Sequence, residues 1–153
     1  MTTPQNLPAA ASIPRNVMRW LLALFYLLAG IMHLSQPASF LAITPPWVPW
    51  PDQVVVLTGL AELAGAVGLV QPWLPQLRRA AGWGLALYAL CVWPANFQHF
   101  MLDQARDAKG LGLGYHVPRL AAQPLLIWAA LWSAAAIDWP FGKRRSGGLD
   151  GGP

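Results

Sequence analysis

The sequence predicts an all-α integral membrane protein, a bundle of four transmembrane helices in one domain. Hydrophobic residues make up 56% of the 153 residues, charged residues only 10%, and nine residues are tryptophan, a composition foreign to water-soluble domains. Four stretches approach the roughly 20 apolar residues that a helix needs to cross a bilayer. They lie at 17–34, 54–74, 80–102 and 117–137. Lipid offers the backbone no hydrogen-bond partners, so each stretch is expected to be a helix.

The positive charges predict that both termini are cytoplasmic, because Arg and Lys near helix ends are retained on that side of a membrane. They precede the first helix, join the second to the third, and follow the fourth: Arg15, Arg19, Arg78, Arg79, Lys143, Arg144 and Arg145. The first loop on the opposite side has no positive charge. We therefore expect the basic tail to fix topology against the lipid bilayer and not to bind nucleic acid.

The segments outside the four stretches set the domain limits. Pro, Gly and small residues indicate flexible segments at 1–14 and 141–153, which leaves 15–140 as the transmembrane domain. The loop "ITPPWVPWPDQ" contains prolines that forbid a helix, and Trp47 and Trp50 suit the headgroup level. This loop either anchors the protein at the interface or covers a pocket. Cys91 is the only cysteine, which excludes a disulfide relay.

Each apolar stretch carries a polar side chain in its outer half. With a rise of about 1.5 Å per residue, His33 and Asn96 both lie roughly 24 Å above the inner ends of their helices. Glu62 lies about 12 Å below the outer end of the second helix, and Gln123 about 9 Å below the start of the fourth. These depths predict that the polar groups of four helices converge on one outer pocket.

Residues three or four apart share a helical face, which narrows the directions of these side chains. Asn96 with His99, and Arg119 with Gln123, each form one polar stripe. The face around Glu62 is lined almost entirely by small residues, which let a helix or a ligand approach closely. They are Thr58, Gly59, Gly65 and Ala66.

Glu62 is the most informative residue, because a charged group at this depth is costly and tends to be paired inside the bundle. Its expected partner is Arg119, with His33 or His99 as the second choice. An unpaired carboxyl would instead hold its proton and become a catalytic proton donor or acceptor. A structural clamp that fixes helix register is the competing interpretation.

Three histidines lie on three segments of the outward side: His33, His99 and His116. Imidazole together with carboxylate can bind zinc, copper or iron, and a haem held by His33 and His99 is a variant of the same idea. No HxH or HxxxH spacing forms a chelate in advance. The prediction is therefore that the site binds no metal.

Several of the same residues carry a family resemblance. The segments "LAGIMHLSQPASFLAITPPWVPWP", "WPANFQHF" and "RLAAQPLLIWAALW", together with the pair Gly59-x-x-Glu62, resemble the DoxX-like family of small four-helix bacterial inner-membrane proteins over residues 19–132. The resemblance implies a multi-pass protein of the bacterial inner membrane. That family takes its name from a subunit of an archaeal thiosulfate:quinone oxidoreductase, and other members resemble accessory partners of membrane redox complexes.

Residues and resemblance together give the expected function: a redox-associated membrane subunit that binds a small molecule, with a quinone head group as the leading candidate ligand. Glu62 would handle the proton, and six side chains would bind the ligand: His33, Glu62, Asn96, His99, Arg119 and Gln123. The alternative is a non-catalytic assembly or chaperone subunit with a structural polar cluster. A redox complex and a second copy of the chain are both open as partners, and whether the chain catalyses a reaction is open too.

Overall fold

The computed structural model describes residues 13–106 and 110–141, and every regular element in those ranges is helical. The elements are α1 (Ile13–Ser35), α2 (Pro37–Leu41), α3 (Pro51–Val70), α4 (Pro75–Gln104) and α5 (Leu113–Ser133). The predicted all-α class is confirmed, and the short α2 is an additional element. Of the predicted flexible ends, residues 1–12 and 142–153 lie outside the described residues, whereas Ile13 and Pro14 belong to α1.

The four long helices pack in a ring in the order α1, α3, α4, α5, and α5 closes the ring against α1. Successive helices run in opposite directions. By outer end we mean the end that carries α2, the loop 42–50 and the connection from α4 to α5. The start of α1 and the end of α5 lie at the other, inner end, where Arg15 Nη2 is 2.6 Å from Asp138 Oδ1. Both ends of the described chain therefore lie on the same side of the bundle.

Prolines mark the starts of α3 and α4, and a polar side chain ends α3 at the inner end. Both α3 and α4 begin with a proline, whose fixed φ and missing N–H suit the first turn. Helix α3 stops at Val70, four residues before the predicted limit, because Gln71 turns the chain. The amide of Gln71 donates to the Leu74 carbonyl at 2.6 Å and accepts from the Leu74 N–H at 2.8 Å. Arg78, predicted to lie in the connection, belongs to α4 instead.

The hydrophobic core fills the inner half of the bundle. It consists of Leu22, Ala23, Tyr26, Ala66, Leu69, Leu85, Ala86, Ala129, Ala130 and Ala134. Arg19, predicted to precede the first helix, lies inside α1 and is buried, and its Nε donates to the Ser133 carbonyl at 3.1 Å. This bond ties the start of α1 to the end of α5.

The outward faces of the helices are strongly apolar. Helices α1 and α3 are long and apolar enough to cross a membrane. Large apolar side chains are also exposed along α4 and α5, including Leu87 and Leu125, which are 62% and 65% exposed. A water-soluble monomer rarely exposes this much contiguous apolar surface, so the flanks of the bundle require an apolar environment or a partner.

Two facing glycines set the distance between α1 and α3. A Cβ on Gly30 would lie 2.8 Å from the Gly59 carbonyl oxygen, and a Cβ on Gly59 would lie 2.9 Å from the His33 Cβ. Backbone and Cβ atoms cannot rotate out of the way as the end of a side chain can. The glycines therefore bring α1 and α3 into direct backbone contact beside His33.

Gly30→Ala should lower the melting temperature of the purified protein in detergent. Overpacking costs about 1–3 kcal/mol, more than the roughly 1 kcal/mol that alanine gains over glycine in a helix. Gly84→Ala is the matched control, because a Cβ there meets no atom within 4 Å, and this variant should melt at or above the wild-type temperature. The close packing of α1 and α3 would be refuted if both variants melted alike.

Candidate functional site

A cavity of about 530 Å³ lies in the outer half of the bundle. Five of the six predicted ligand-binding residues line it: His33, Glu62, Asn96, Arg119 and Gln123. They come from α1, α3, α4 and α5, so all four long helices contribute, as the polar depths predict. The volume falls within the range of small-molecule sites in proteins.

Glu62 lies at the inner limit of the α3 wall and is only 3% exposed. Tyr88 donates its hydroxyl hydrogen to Glu62 Oε1 at 2.8 Å, and His33 Nδ1 lies 2.8 Å from Oε2. The predicted pairing of Glu62 with Arg119 is wrong, and the second choice, His33, is the partner that the structure contains. Oε2 nevertheless lacks a well-aligned donor, because the Nδ1 hydrogen points to the Ala29 carbonyl at 3.1 Å.

Helix direction explains why His33 and Glu62 meet from different depths. Long helical side chains lean toward the N-terminus of their own helix, and α1 and α3 run in opposite directions. His33 therefore leans inward and Glu62 leans outward. The His33 ring is held from the other side by Phe40 of α2, which stacks on it with centroids 3.6 Å apart. The imidazole is thus fixed between the carboxylate and an aromatic ring.

Arg119 forms the polar wall opposite Glu62, and its guanidinium is held by His99 and Tyr115. Its guanidinium donates from Nη1 to His99 Nδ1 at 2.5 Å and lies over the Tyr115 ring, 5.7 Å from the centroid. His99 itself does not line the cavity. The predicted role of His99 as a ligand-binding residue is therefore corrected to that of a support that orients Arg119.

The amides of Asn96 and Gln123 differ in how much hydrogen-bonding capacity they have left. Gln123 Nε2 donates to the Ala89 carbonyl at 2.8 Å and so joins α5 to α4. Asn96 is buried, lines the cavity and makes no side-chain hydrogen bond to any described residue. Its carboxamide can both donate and accept, so it is ready to bind a polar group in the cavity.

Two tyrosines in the cavity wall were missed by the sequence interpretation. Tyr26 lies seven residues before His33 and Tyr88 eight before Asn96, so each lies about two helical turns inward from a predicted residue. Both line the cavity where it meets the core. The same helical spacing that grouped the other polar residues could have found them.

The rest of the wall is mostly apolar, and the cavity reaches the side of the bundle. Phe25 and Tyr115 line it and are 49% and 42% exposed, and the exposed Cys91 and Pro94 line it on α4. At the outer end the loop 42–50 contributes part of the wall, including Trp47, which is itself 70% exposed. The aromatic loop thus covers a pocket, which is one of the two roles that the sequence predicts for it.

A separate polar cluster connects α4 to α5 at the outer end. The side chain of Asp103 is fully buried and accepts hydrogen bonds from Arg106 Nη1 at 2.7 Å, Leu111 N–H at 3.1 Å and His116 Nε2 at 2.9 Å. His99 Nε2 lies 3.7 Å from the same carboxylate. Asp103 lies one residue beyond the predicted stretch 80–102, and the structure places it in the last turn of α4 with a buried side chain.

His99, Asp103 and His116 have the residue types of a metal site, and their ligand atoms lie within 4.8 Å of one another. Their hydrogen bonds argue for a different role. His99 Nδ1 accepts from Arg119 and His116 Nε2 donates to Asp103, so both Nε2 atoms carry hydrogens where a metal would need lone pairs. His33 lies elsewhere, beside Glu62, so the three histidines do not form one group.

Comparison with known proteins identifies a family for most of the chain. Residues 22–135 match the model of a domain of unknown function, DUF8561. The matched range contains every residue that lines the cavity. No curated protein and no solved structure gives a significant match.

Proposed function

We propose that this chain, which belongs to the DUF8561 family, is a four-helix protein of the bacterial inner membrane that binds the head group of a quinone in its outer-half cavity. One observation carries the proposal. A cavity of about 530 Å³ unites the polar side chains of four helices and opens sideways between apolar surfaces. The relation to the DoxX-like family is part of the same proposal, because the residues that carry that resemblance are among those that line the cavity.

Membrane insertion of all four long helices rests on the exposed surface. Apolar side chains cover the outward faces of α4 and α5 as they do those of α1 and α3. The proposed topology places the inner end in the cytoplasm, because Arg15, Arg19, Arg78 and Arg79 lie at that end. The cavity then faces the extracytoplasmic half of the bilayer.

The shape and chemistry of the cavity favour a lipid-soluble ligand with a small polar head. Its lateral openings beside Phe25 and Pro94 lead to lipid, which allows entry without passage through water. Inside, Asn96 and Arg119 supply hydrogen-bond donors suited to quinone carbonyls, and the apolar walls suit the ring and the start of an isoprenoid tail. Glu62 and His33 lie 2.8 Å apart and are placed to accept or supply the protons of quinone reduction or quinol oxidation, for which a partner redox complex would supply or remove the electrons.

A second function is favoured by a different observation. Glu62, Arg119 and Gln123 each have a partner within the protein, in Tyr88, His99 and the Ala89 carbonyl. These bonds join α3 to α4 and α4 to α5, as a non-catalytic assembly subunit with a structural polar cluster would require. The volume of the cavity and the unpartnered Asn96 favour ligand binding over this alternative.

Photoaffinity labelling tests the proposal. The protein is reconstituted in nanodiscs, labelled with an azido-quinone and digested for mass spectrometry. We expect label on peptides that contain cavity residues such as Trp47 or Tyr115, and we expect excess decylubiquinone to remove it. Label spread evenly over the exposed apolar residues, including those far from the cavity such as Val17, without competition, would refute the proposal and favour the assembly function.

A further inference from the structure

The hydroxyl of Tyr26 is a buried polar group without a hydrogen-bond partner among the described residues. Tyr26 is only 1% exposed and lines the cavity at its floor, yet its hydroxyl has no hydrogen-bond partner among the described residues. Buried hydroxyls are nearly always hydrogen-bonded to protein or to a bound molecule, because leaving one unpaired costs the full desolvation penalty of the group. The Tyr26 hydroxyl therefore requires a hydrogen-bond acceptor that no described residue provides, and a bound molecule must provide it.

The neighbouring Tyr88 explains why the Tyr26 hydroxyl has no partner. Tyr26 and Tyr88 pack edge to face, with ring centroids 6.1 Å apart. Tyr88 already donates its hydrogen to Glu62 Oε1. Of the two adjacent phenols, one donates to the carboxylate, and the other belongs to a cavity-lining residue whose hydroxyl has no partner among the described residues.

We infer that Tyr26 donates a hydrogen bond to an oxygen of the bound ligand and so holds the innermost quinone carbonyl at the cavity floor. The inference rests on the proposed function and adds a specificity residue to it. A ligand of the same shape without an oxygen at this edge would leave the hydroxyl unpaired and would bind more weakly. The ring of the quinone is thereby placed beside the pair formed by Glu62 and Tyr88.

The carbonyl stretch of the bound quinone is the direct test. Carbonyl-labelled ubiquinone-1 bound to the wild-type protein should show one carbonyl band shifted to lower frequency, and Tyr26→Phe should return that band toward the frequency of the free quinone. Equilibrium dialysis of ubiquinone-1 should give roughly two- to tenfold weaker binding for this variant, the effect of one neutral hydrogen bond. Phe preserves the ring, so the ligand-free variant should melt at the wild-type temperature or above.

Trp83→Phe is the control, because Trp83 is 58% exposed near the inner end and does not line the cavity. It should change neither the band nor the affinity. If the bound quinone has an unshifted carbonyl in the wild type, or if Tyr26→Phe changes nothing, a water molecule is the partner of Tyr26 and this inference alone fails. If wild-type protein binds no ubiquinone-1, the inference and the proposed function fail together.

Discussion

Glu62→Gln is expected to weaken ubiquinone-1 binding by on the order of 100-fold or more, while the protein still inserts into the membrane. Glutamine keeps the shape of glutamate but replaces one oxygen by an NH₂ group. That group must face either the Tyr88 hydroxyl, which donates its hydrogen to Glu62, or the His33 Nδ1, whose own hydrogen points to the Ala29 carbonyl. The proton acceptor of the site is lost, and the charge-assisted bond from Tyr88, worth about 1.5–3 kcal/mol, is weakened.

Equilibrium dialysis of ubiquinone-1 measures this change, with Asp52→Asn as the matched control. Asp52 lies on the same helix, in its first turn, and is exposed and outside the cavity. Its neutralisation should leave the affinity within about twofold of wild type. Equal binding by wild type and Glu62→Gln would remove Glu62 from the site. A fall in melting temperature without any change in ligand occupancy would instead favour the structural clamp.

The depth of each polar group could be predicted from the sequence, because helical rise is nearly constant and the helix ends are marked by proline and charge. His33, Glu62, Asn96 and Gln123 were placed in one outer layer on that basis, and all four line the cavity. The inner core of small and aliphatic residues follows from the same reasoning. The depth of a residue depends only on its position along its own helix, so it can be predicted without knowing how the helices pack.

The pairing of charged groups could not be predicted, because it depends on how each helix is rotated and on which helices are neighbours. Glu62 on α3 packs against α1 and α4, while Arg119 on α5 reaches back to α4. The nearest partners are therefore His33 for the carboxylate and His99 for the guanidinium. Spacing along one helix gives no information on this choice.

Asp103→Asn is expected to lower the melting temperature by on the order of 10 °C and to loosen the outer end of α4 and α5. The buried carboxylate accepts three hydrogen bonds, from Arg106, Leu111 and His116. An asparagine has one acceptor oxygen, so its NH₂ group must meet at least one of those hydrogens. A tautomer change at His116 does not relieve the clash, because Nδ1 is buried without a partner and would then carry the hydrogen.

Thermal unfolding in detergent gives the size of this effect, and hydrogen exchange gives its location. Asp138→Asn is the matched control: Asp138 is paired with Arg15, but its side chain is 72% exposed, so solvent weakens the pair and the melting temperature should move by no more than about 2 °C. Exchange should rise in peptides that contain Leu111 and His116 and stay unchanged around the inner core. His99 lies between Asp103 and Arg119, so loosening this end of the bundle should also free the Arg119 side chain from its position in the cavity wall. Ubiquinone-1 binding should weaken as a result. Unchanged exchange at Leu111 would show that the carboxylate does not hold the two helices together.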